Sequence, residues 1–177
     1  MTVKSILKAV LELTEGGTAA KLDGTGADDA LLLRCLNMIV KEIAEEYVDF
    51  VRTEEVDAGV GKIKLNALTM PVKRVKAVRS AGAKYPFRER EDHVITSASD
   101  MVEVEYAYYP DEVDFGDELT LPRAITSRAL IYGVASEYCL VKERMDDSAN
   151  FNSRYVMAIS SCARPKGNVR VKERAWL

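Results

Sequence analysis

The chain has 177 residues, of which 47% are hydrophobic and 30% are charged. This composition can bury a core, so a wholly disordered protein is excluded. The net charge of −3 disfavours a dedicated nucleic-acid binder, which would need a strongly basic surface. No apolar run approaches the roughly eighteen residues that cross a membrane. The composition therefore predicts a folded protein without membrane spans and specifies no chemistry.

The N-terminus and the cysteines both predict an intracellular protein. Charged residues interrupt the apolar positions of the first segment, so we expect no signal peptide there. The cysteines are an odd number without paired spacing, and each falls inside a helical pattern. We therefore expect reduced thiols, as in a cytosol-type compartment, at Cys35, Cys139 and Cys162.

Two helices are predicted in the first part of the chain. The first covers about 2–15 and ends at a pair of glycines. The second covers about 28–50, opens with acidic residues and carries apolar residues at helical spacing. Its apolar arc is wider than the ~100° that an ordinary surface helix needs. Such a helix can pack against more than one neighbour, either as the centre of its own bundle or, through Val48 and Val51 on its outer flank, against another subunit.

Between about 54 and 110 the hydrophobic period falls to two residues, which is typical of strands. The alternation is clearest over 101–109, where valines and tyrosines face one way and glutamates face the other. Weaker strand patterns, separated by turn residues, complete an antiparallel unit of about four to six strands. The segment around Gly59 and Gly61 lacks the other residues of a phosphate loop, so we predict a hairpin turn there instead.

Helical spacing returns after an acidic loop at 111–118. One helix enters at Leu121-Pro122 and runs to about 144. After a gap at Met145-Asp146, a last helix carries apolar residues that line up from Phe151 to Cys162. Small residues on the first of these would let another helix approach closely. They are further candidates for a subunit interface, at Ala129, Gly133 and Ser136.

The order of elements is two helices, a β unit, two helices and a tail without a helical pattern. Because helices flank a contiguous β region, we expect an α+β fold rather than a doubly wound α/β fold. The predicted architecture is an antiparallel helical bundle with an inserted small antiparallel β unit and an extended C-terminal arm. The first part of the bundle covers 1–53, and the β unit with the acidic loop covers 54–118. The second part of the bundle covers 119–163, and the docking arm covers 164–177.

The sequence offers no recognisable catalytic constellation. His93 is the only histidine, and the serines near it in sequence lack the flanking glycines of a nucleophile elbow. One imidazole and cysteines at these spacings do not build the usual zinc sites. The acidic loop 111–118 matches no calcium loop, and whether it binds a cation stays open. We therefore expect no enzymatic activity, no cofactor and no metal.

The last fourteen residues differ from the rest of the chain in charge. They contain five basic side chains and one acid, and they end on the only tryptophan followed by a leucine. Such a tail can bind nucleic acid, dock onto an acidic protein surface or have no role. Because one aromatic ring is a poor stacking platform for bases, we favour docking onto a protein through Arg170, Lys172, Arg174 and Trp176.

The helical regions resemble the head–tail connector, or adaptor, proteins of tailed bacteriophages. The residues that carry the resemblance are the acidic opening and long helix over 28–47, Leu121-Pro122 with the helix over 130–140, Arg154-Tyr155, and the arm that ends at Trp176-Leu177. The resemblance covers somewhat over half the chain. The β unit departs from the smallest adaptors, which are nearly all helical.

The resemblance implies a structural, non-enzymatic protein of the virion neck that assembles in the host cytoplasm. Adaptors of this kind form a ring of about twelve copies under the portal protein. The ring extends the DNA channel and offers a platform for a stopper or tail protein. Double-stranded DNA passes through without sequence-specific binding, and no membrane is involved. The resemblance also implies that the C-terminal arm binds the portal through Arg170, Lys172, Arg174 and Trp176.

Two other classes stay open as alternatives. A small nucleic-acid-binding regulatory protein would show salt-dependent affinity for duplex DNA. Its basic strand face would consist of Lys73, Arg74, Lys76 and Arg79. A virion-associated cell-wall hydrolase would use paired carboxylates as acid and base, and turnover of peptidoglycan would identify it.

Overall fold

The computed structural model describes residues 1–16, 22 and 24–163. The helices in this part of the chain are α1 (Val3–Thr14), α2 (Ala27–Glu42), α3 (Ser127–Val141) and α4 (Met145–Ala163). The strands between α2 and α3 are β1 (Phe50–Asp57), β2 (Lys62–Lys64), β3 (Val72–Ser80), β4 (Ala83–Tyr85), β5 (Phe87–Glu89), β6 (His93–Thr96) and β7 (Met101–Tyr108). A π-helical turn (Ile43–Tyr47) follows α2, and a 3₁₀ turn (Leu65–Ala67) follows β2.

The four helices pack around one hydrophobic core. Thr2 caps α1, because its hydroxyl oxygen accepts a hydrogen bond from the Ser5 amide at 3.3 Å. α3 is central, since it contacts each of the other three helices. Apolar side chains of all four helices meet in this core, among them Leu7, Leu36, Leu130 and Ile159. None of the helices in the described residues combines the length and apolar character needed to cross a bilayer.

The second helix is shorter than its apolar pattern predicts. α2 and its π-helical turn end at Tyr47, Val48 is extended, and Phe50 begins β1. Phe50 and Val51 pair in register with β7. β-branched and aromatic residues at the end of this segment fit a strand as well as a helix, and pairing with a distant strand decides between them. The β region therefore begins at Phe50, ahead of the expected start at 54.

The larger sheet has four antiparallel strands in the order β1-β7-β3-β4. The predicted alternation of β7 is confirmed, because Val102, Val104 and Tyr106 are buried while Glu103 is exposed. The buried face of this sheet covers a second hydrophobic core, and the opposite face points away from it.

The smaller sheet has three antiparallel strands in the order β2-β6-β5. Side chains of both sheets form the second core, including Ile63, Val78, Val94 and Val104. The turn at Gly59 and Gly61 joins β1 of the larger sheet to β2 of the smaller one, so it is not the hairpin turn that we predict. Gly61 has φ +78°, and a Cβ there would lie 2.5 Å from the Thr96 carbonyl oxygen.

The α+β class holds broadly, but the predicted helical bundle with a small inserted β unit is wrong. Two antiparallel sheets enclose a core of their own beside the helical core. The hydrophobic period identifies strands, but it does not identify which strands share a sheet, because pairing depends on residues distant in sequence. The protein is therefore a mixed α+β structure with two cores.

Candidate subunit-interaction surface

His93 lies on β6 at the surface. Its Nδ1 hydrogen-bonds to Oδ1 of the neighbouring Asp92, whose side chain is 80% exposed. This hydrogen bond joins two neighbouring side chains, and no nucleophile among the described residues takes part in it. Within the described residues, no group of three or more histidine, cysteine or carboxylate side chains is arranged to hold a metal ion.

Two buried tyrosines donate hydrogen bonds to carboxylates inside the fold. The Tyr106 hydroxyl donates to Glu54 Oε1 at 2.8 Å, and burial together with this bond raises the pKa of Tyr106 to about 12. The Tyr155 hydroxyl donates to Glu42 Oε1 at 3.0 Å, and burial raises the pKa of both groups. Both tyrosines therefore stay protonated and serve as structural donors.

The acidic loop folds against α2 and the N-terminus. Asn37 Nδ2 donates to the Val113 carbonyl oxygen at 3.1 Å, and the Val113 amide donates to Asn37 Oδ1 at 3.0 Å. The Val3 amide donates to the Asp117 carbonyl oxygen at 3.0 Å. A groove of about 430 Å³ lies between α2 and the loop, and charges of both signs line it at Arg34, Lys41, Asp111, Glu112 and Asp114. Cations of α2 therefore partly balance the carboxylates of the loop.

Three of the four basic residues proposed for a DNA-binding face surround one carboxylate. Lys73 Nζ lies 3.4 Å and Lys76 Nζ lies 3.3 Å from oxygens of Asp49, and Arg74 also pairs with it. Burial raises the pKa of Asp49, but hydrogen bonds from Arg74 and Lys76 outweigh it, so the net pKa lies below its usual value. Lys73 also donates to the Ala44 carbonyl oxygen at 2.7 Å. These cations therefore fasten β3 to the end of the helical region.

The small residues proposed as a subunit interface lie inside the chain. Ala129, Gly133 and Ser136 are all buried on α3. A Cβ on Gly133 would lie 3.0 Å from Ile39 Cγ2 and 3.1 Å from the Tyr155 ring. These residues do allow close helix approach, but the helices that approach are α2 and α4 of the same chain. These three residues are therefore not accessible on the surface of the folded chain.

The two valines proposed as an interface lie beyond the helix and differ in exposure. Val48 is partly buried against the helical core. Val51 is on β1, where its side chain is 46% exposed. It lies on the same side of β1 as the exposed Glu55, so it is on the outward face of the larger sheet. Only Val51 of the two is available to a second copy.

The larger sheet divides into an acidic half and a basic half. β1 and β7 each carry a net charge of −2, whereas β3 carries +4 and β4 carries +1. Because the strand order is β1-β7-β3-β4, the two acidic strands lie side by side, and so do the two basic strands. Charge therefore changes sign across the width of the sheet.

One row of side chains crosses all four strands of this sheet. Glu55 pairs with Glu103, Glu103 pairs with Arg79, and Arg79 pairs with Lys84. Directly opposed residues share a face of an antiparallel sheet, so these four side chains point outward together. A depression of about 220 Å³ lies at the row and is lined by three of its members. We name these four residues the charged row.

Sequence reasoning found only part of the charged row. The alternation over 101–109 places Glu103 on the outward face, and Arg79 belongs to the basic strand face. Glu55 and Lys84 were not singled out, because a lone charge on a strand gives no signal until its neighbours are known. Strand order and register supply that information, and neither can be read from the hydrophobic period.

The tail residues predicted to dock onto the portal are Arg170, Lys172, Arg174 and Trp176, and they lie outside the described residues. Comparison with known proteins gives no family for the chain. No protein-family model matches the sequence, and no curated protein matches it at a significant level.

Proposed function

We propose that this chain is a structural virion protein that forms a ring adaptor between the portal and the stopper or tail. The ring contains about twelve copies and extends the DNA channel. It is located in the neck of the virion and assembles in the host cytoplasm. The protein acts through shape and self-association and catalyses no reaction.

The observation that carries the proposal is that the segments behind the resemblance pack together. The segments over 28–47 and 130–140 are separated by the whole β region, yet α2 and α3 contact each other in one core. Tyr155, which also belongs to the resemblance, lies beside Gly133 and donates a hydrogen bond to Glu42 of α2. The adaptor-like residues thus form one helical unit, to which the two sheets add a second part.

The charge arrangement also supports this proposal. The β3 cations are engaged in ion pairs with Asp49 and Glu105. Non-specific duplex binding requires Lys and Arg that neutralise phosphates, so cations held in this way favour passage of DNA over retention. Of the remaining partners, the portal would be bound by the C-terminal arm, and the stopper or tail protein would bind the opposite side of the ring.

Assembly of the purified full-length chain tests the proposed function. Mass photometry and negative-stain electron microscopy over a concentration series should show monomers in dilute solution. Closed rings of about twelve copies should form at high concentration or when portal rings are added as a template. Monomers alone under all of these conditions would contradict the adaptor function.

A further inference from the structure

We propose that neighbouring copies bind head to tail through the two oppositely charged edges of the larger sheet. The acidic edge of one copy, at β1, contacts the basic edge of the next copy, at β4. This inference rests on the proposed ring and names the surfaces that join its subunits. The partner is therefore a second copy of this chain, and each copy uses both edges.

The charged row is poorly satisfied within one chain. Two of the three cross-strand positions in the row oppose like charges, which is destabilising, since Glu55 lies opposite Glu103 and Arg79 lies opposite Lys84. Only the central position, Glu103 opposite Arg79, brings unlike charges together. Arg79 donates to Glu105 at 2.6 Å. Among the described residues, no ion pair engages Glu55, Glu103 or Lys84. A cation from outside the chain would stabilise the acidic end, and an anion would stabilise the basic end.

The two ends of the charged row lie at the two open edges of the sheet. β1 and β4 are the outer strands, and Glu55 and Lys84 are both exposed. Charges on an edge strand prevent pairing with unwanted strands. Here the two edges carry charges of opposite sign. The β1 edge of one copy therefore repels the β1 edge of another copy and attracts its β4 edge. Such a contact joins two different surfaces, and it generates a ring when the rotation closes.

Apolar side chains accompany the charges on the acidic half. Val51 and Met101 lie on the outward face and are 46% and 57% exposed. The depression at the charged row adds a concave surface in which Met101 lies beside Glu55 and Glu103. Apolar contact supplies buried area, whereas charge selects the partner and the orientation. The acidic half thus has the composition expected of an interface that binds the basic β4 edge of the next copy.

Charge reversal at the two ends of the row tests the contact in the full-length protein. Glu55→Lys and Lys84→Glu should each raise the concentration for half-maximal assembly by about tenfold or more, because each places like charges at every contact. The double variant E55K/K84E should restore assembly to within about threefold of wild type, since it exchanges the two signs. An equimolar mixture of the two single variants should also assemble, with the two kinds of chain alternating.

Matched controls come from α1, where Lys8 and Glu12 form an exposed pair at 3.8 Å. Lys8→Glu and Glu12→Lys make the same changes in net charge away from the sheet, and they should leave assembly within about twofold of wild type. Circular dichroism and the melting temperature show whether each variant is folded. Wild-type assembly should also weaken by about tenfold between low and high salt, which tests the contact without any substitution.

Each outcome has a definite meaning. Assembly of both single variants at wild-type concentrations would overturn the inference and leave the ring adaptor standing. Loss of assembly in the single variants without recovery in the double variant would also overturn it. A charge-dependent species that stops at two copies would indicate face-to-face pairing and contradict the head-to-tail contact. Failure of wild type to form rings would contradict the proposed function itself.

Discussion

Asn37 on α2 hydrogen-bonds to both the amide and the carbonyl group of Val113, as a neighbouring strand would. An asparagine side chain can do this because it carries one donor and one acceptor side by side. Its partner lies in the acidic loop, 76 residues further along the chain. A single side chain therefore fixes the loop onto the helical core and defines one wall of the groove beside α2.

Replacing Asn37 by alanine should destabilise the protein by about 1–2 kcal/mol, because both hydrogen bonds to Val113 are lost. Asn37→Asp is the informative comparison. It keeps an acceptor for the Val113 amide but faces the carbonyl oxygen with a second acceptor, so it should also destabilise the chain. Urea denaturation measures the effect, and hydrogen exchange should show faster opening of the acidic loop. Unchanged exchange in that loop would contradict the role of Asn37.

Asp49→Asn should lower the free energy of unfolding by about 1–2 kcal/mol at pH 7, because three cations of β3 lose their shared carboxylate. The pKa of Asp49 is lowered in the folded state. Its contribution is therefore complete above the unfolded pKa of about 3.9 and is lost as pH falls through the folded pKa. The difference between wild type and variant should shrink below about pH 3. An equal difference at pH 7 and pH 2 would contradict this account.

Gly133→Val should destabilise the isolated chain by about 1–3 kcal/mol, because a Cβ alone would already lie 3.0 Å from Ile39 and 3.1 Å from Tyr155, and valine adds two methyl groups. Thermal unfolding of the monomer at low concentration measures this effect. The experiment also separates the two interpretations of the small residues on α3. A variant that keeps its melting temperature but fails to form rings would show that Gly133 belongs to the subunit interface.

Aspartate at Val51 should weaken ring formation, because it removes apolar contact area from the outward face of β1. The helical circular dichroism signal and the melting temperature should stay near wild type, because the Val51 side chain is 46% exposed. Aspartate at Val48 should instead lower stability, because this residue packs against the helical core. Loss of folding in the Val51 variant, with a stable Val48 variant, would reverse this assignment.

Deletion of the last eight residues, 170–177, should leave a folded protein that no longer joins portal rings. The described residues of both hydrophobic cores all precede the deletion, so the melting temperature should stay near that of the full chain. Co-sedimentation with purified portal rings measures the interaction, and Trp176→Ala provides a smaller change at the expected anchor. Normal binding of the truncated chain to portal rings would contradict docking through the arm.

The sequence predicted the elements that depend on neighbours along the chain. The helix pairs at both ends and the alternation of β7 follow local periods, and the structure confirms that these elements exist. Two helix starts differ from the prediction, because α3 begins at Ser127 rather than at Leu121-Pro122 and α4 begins at Met145, inside the predicted gap. The length of the second helix was not predictable, because Phe50 and Val51 suit either a helix or a strand until β7 pairs with them. The same limit applies to Gly133, whose small size indicates a close approach without naming the helix that approaches.

The order and type of the elements, their buried faces and the charge on each strand can therefore be read along the chain. That β1 lies beside β7 and β3 beside β4 is visible only in the folded protein, and this arrangement places Glu55, Glu103, Arg79 and Lys84 in one row. Side-chain period and charge are local properties, whereas strand order and register arise from contacts between segments far apart in sequence.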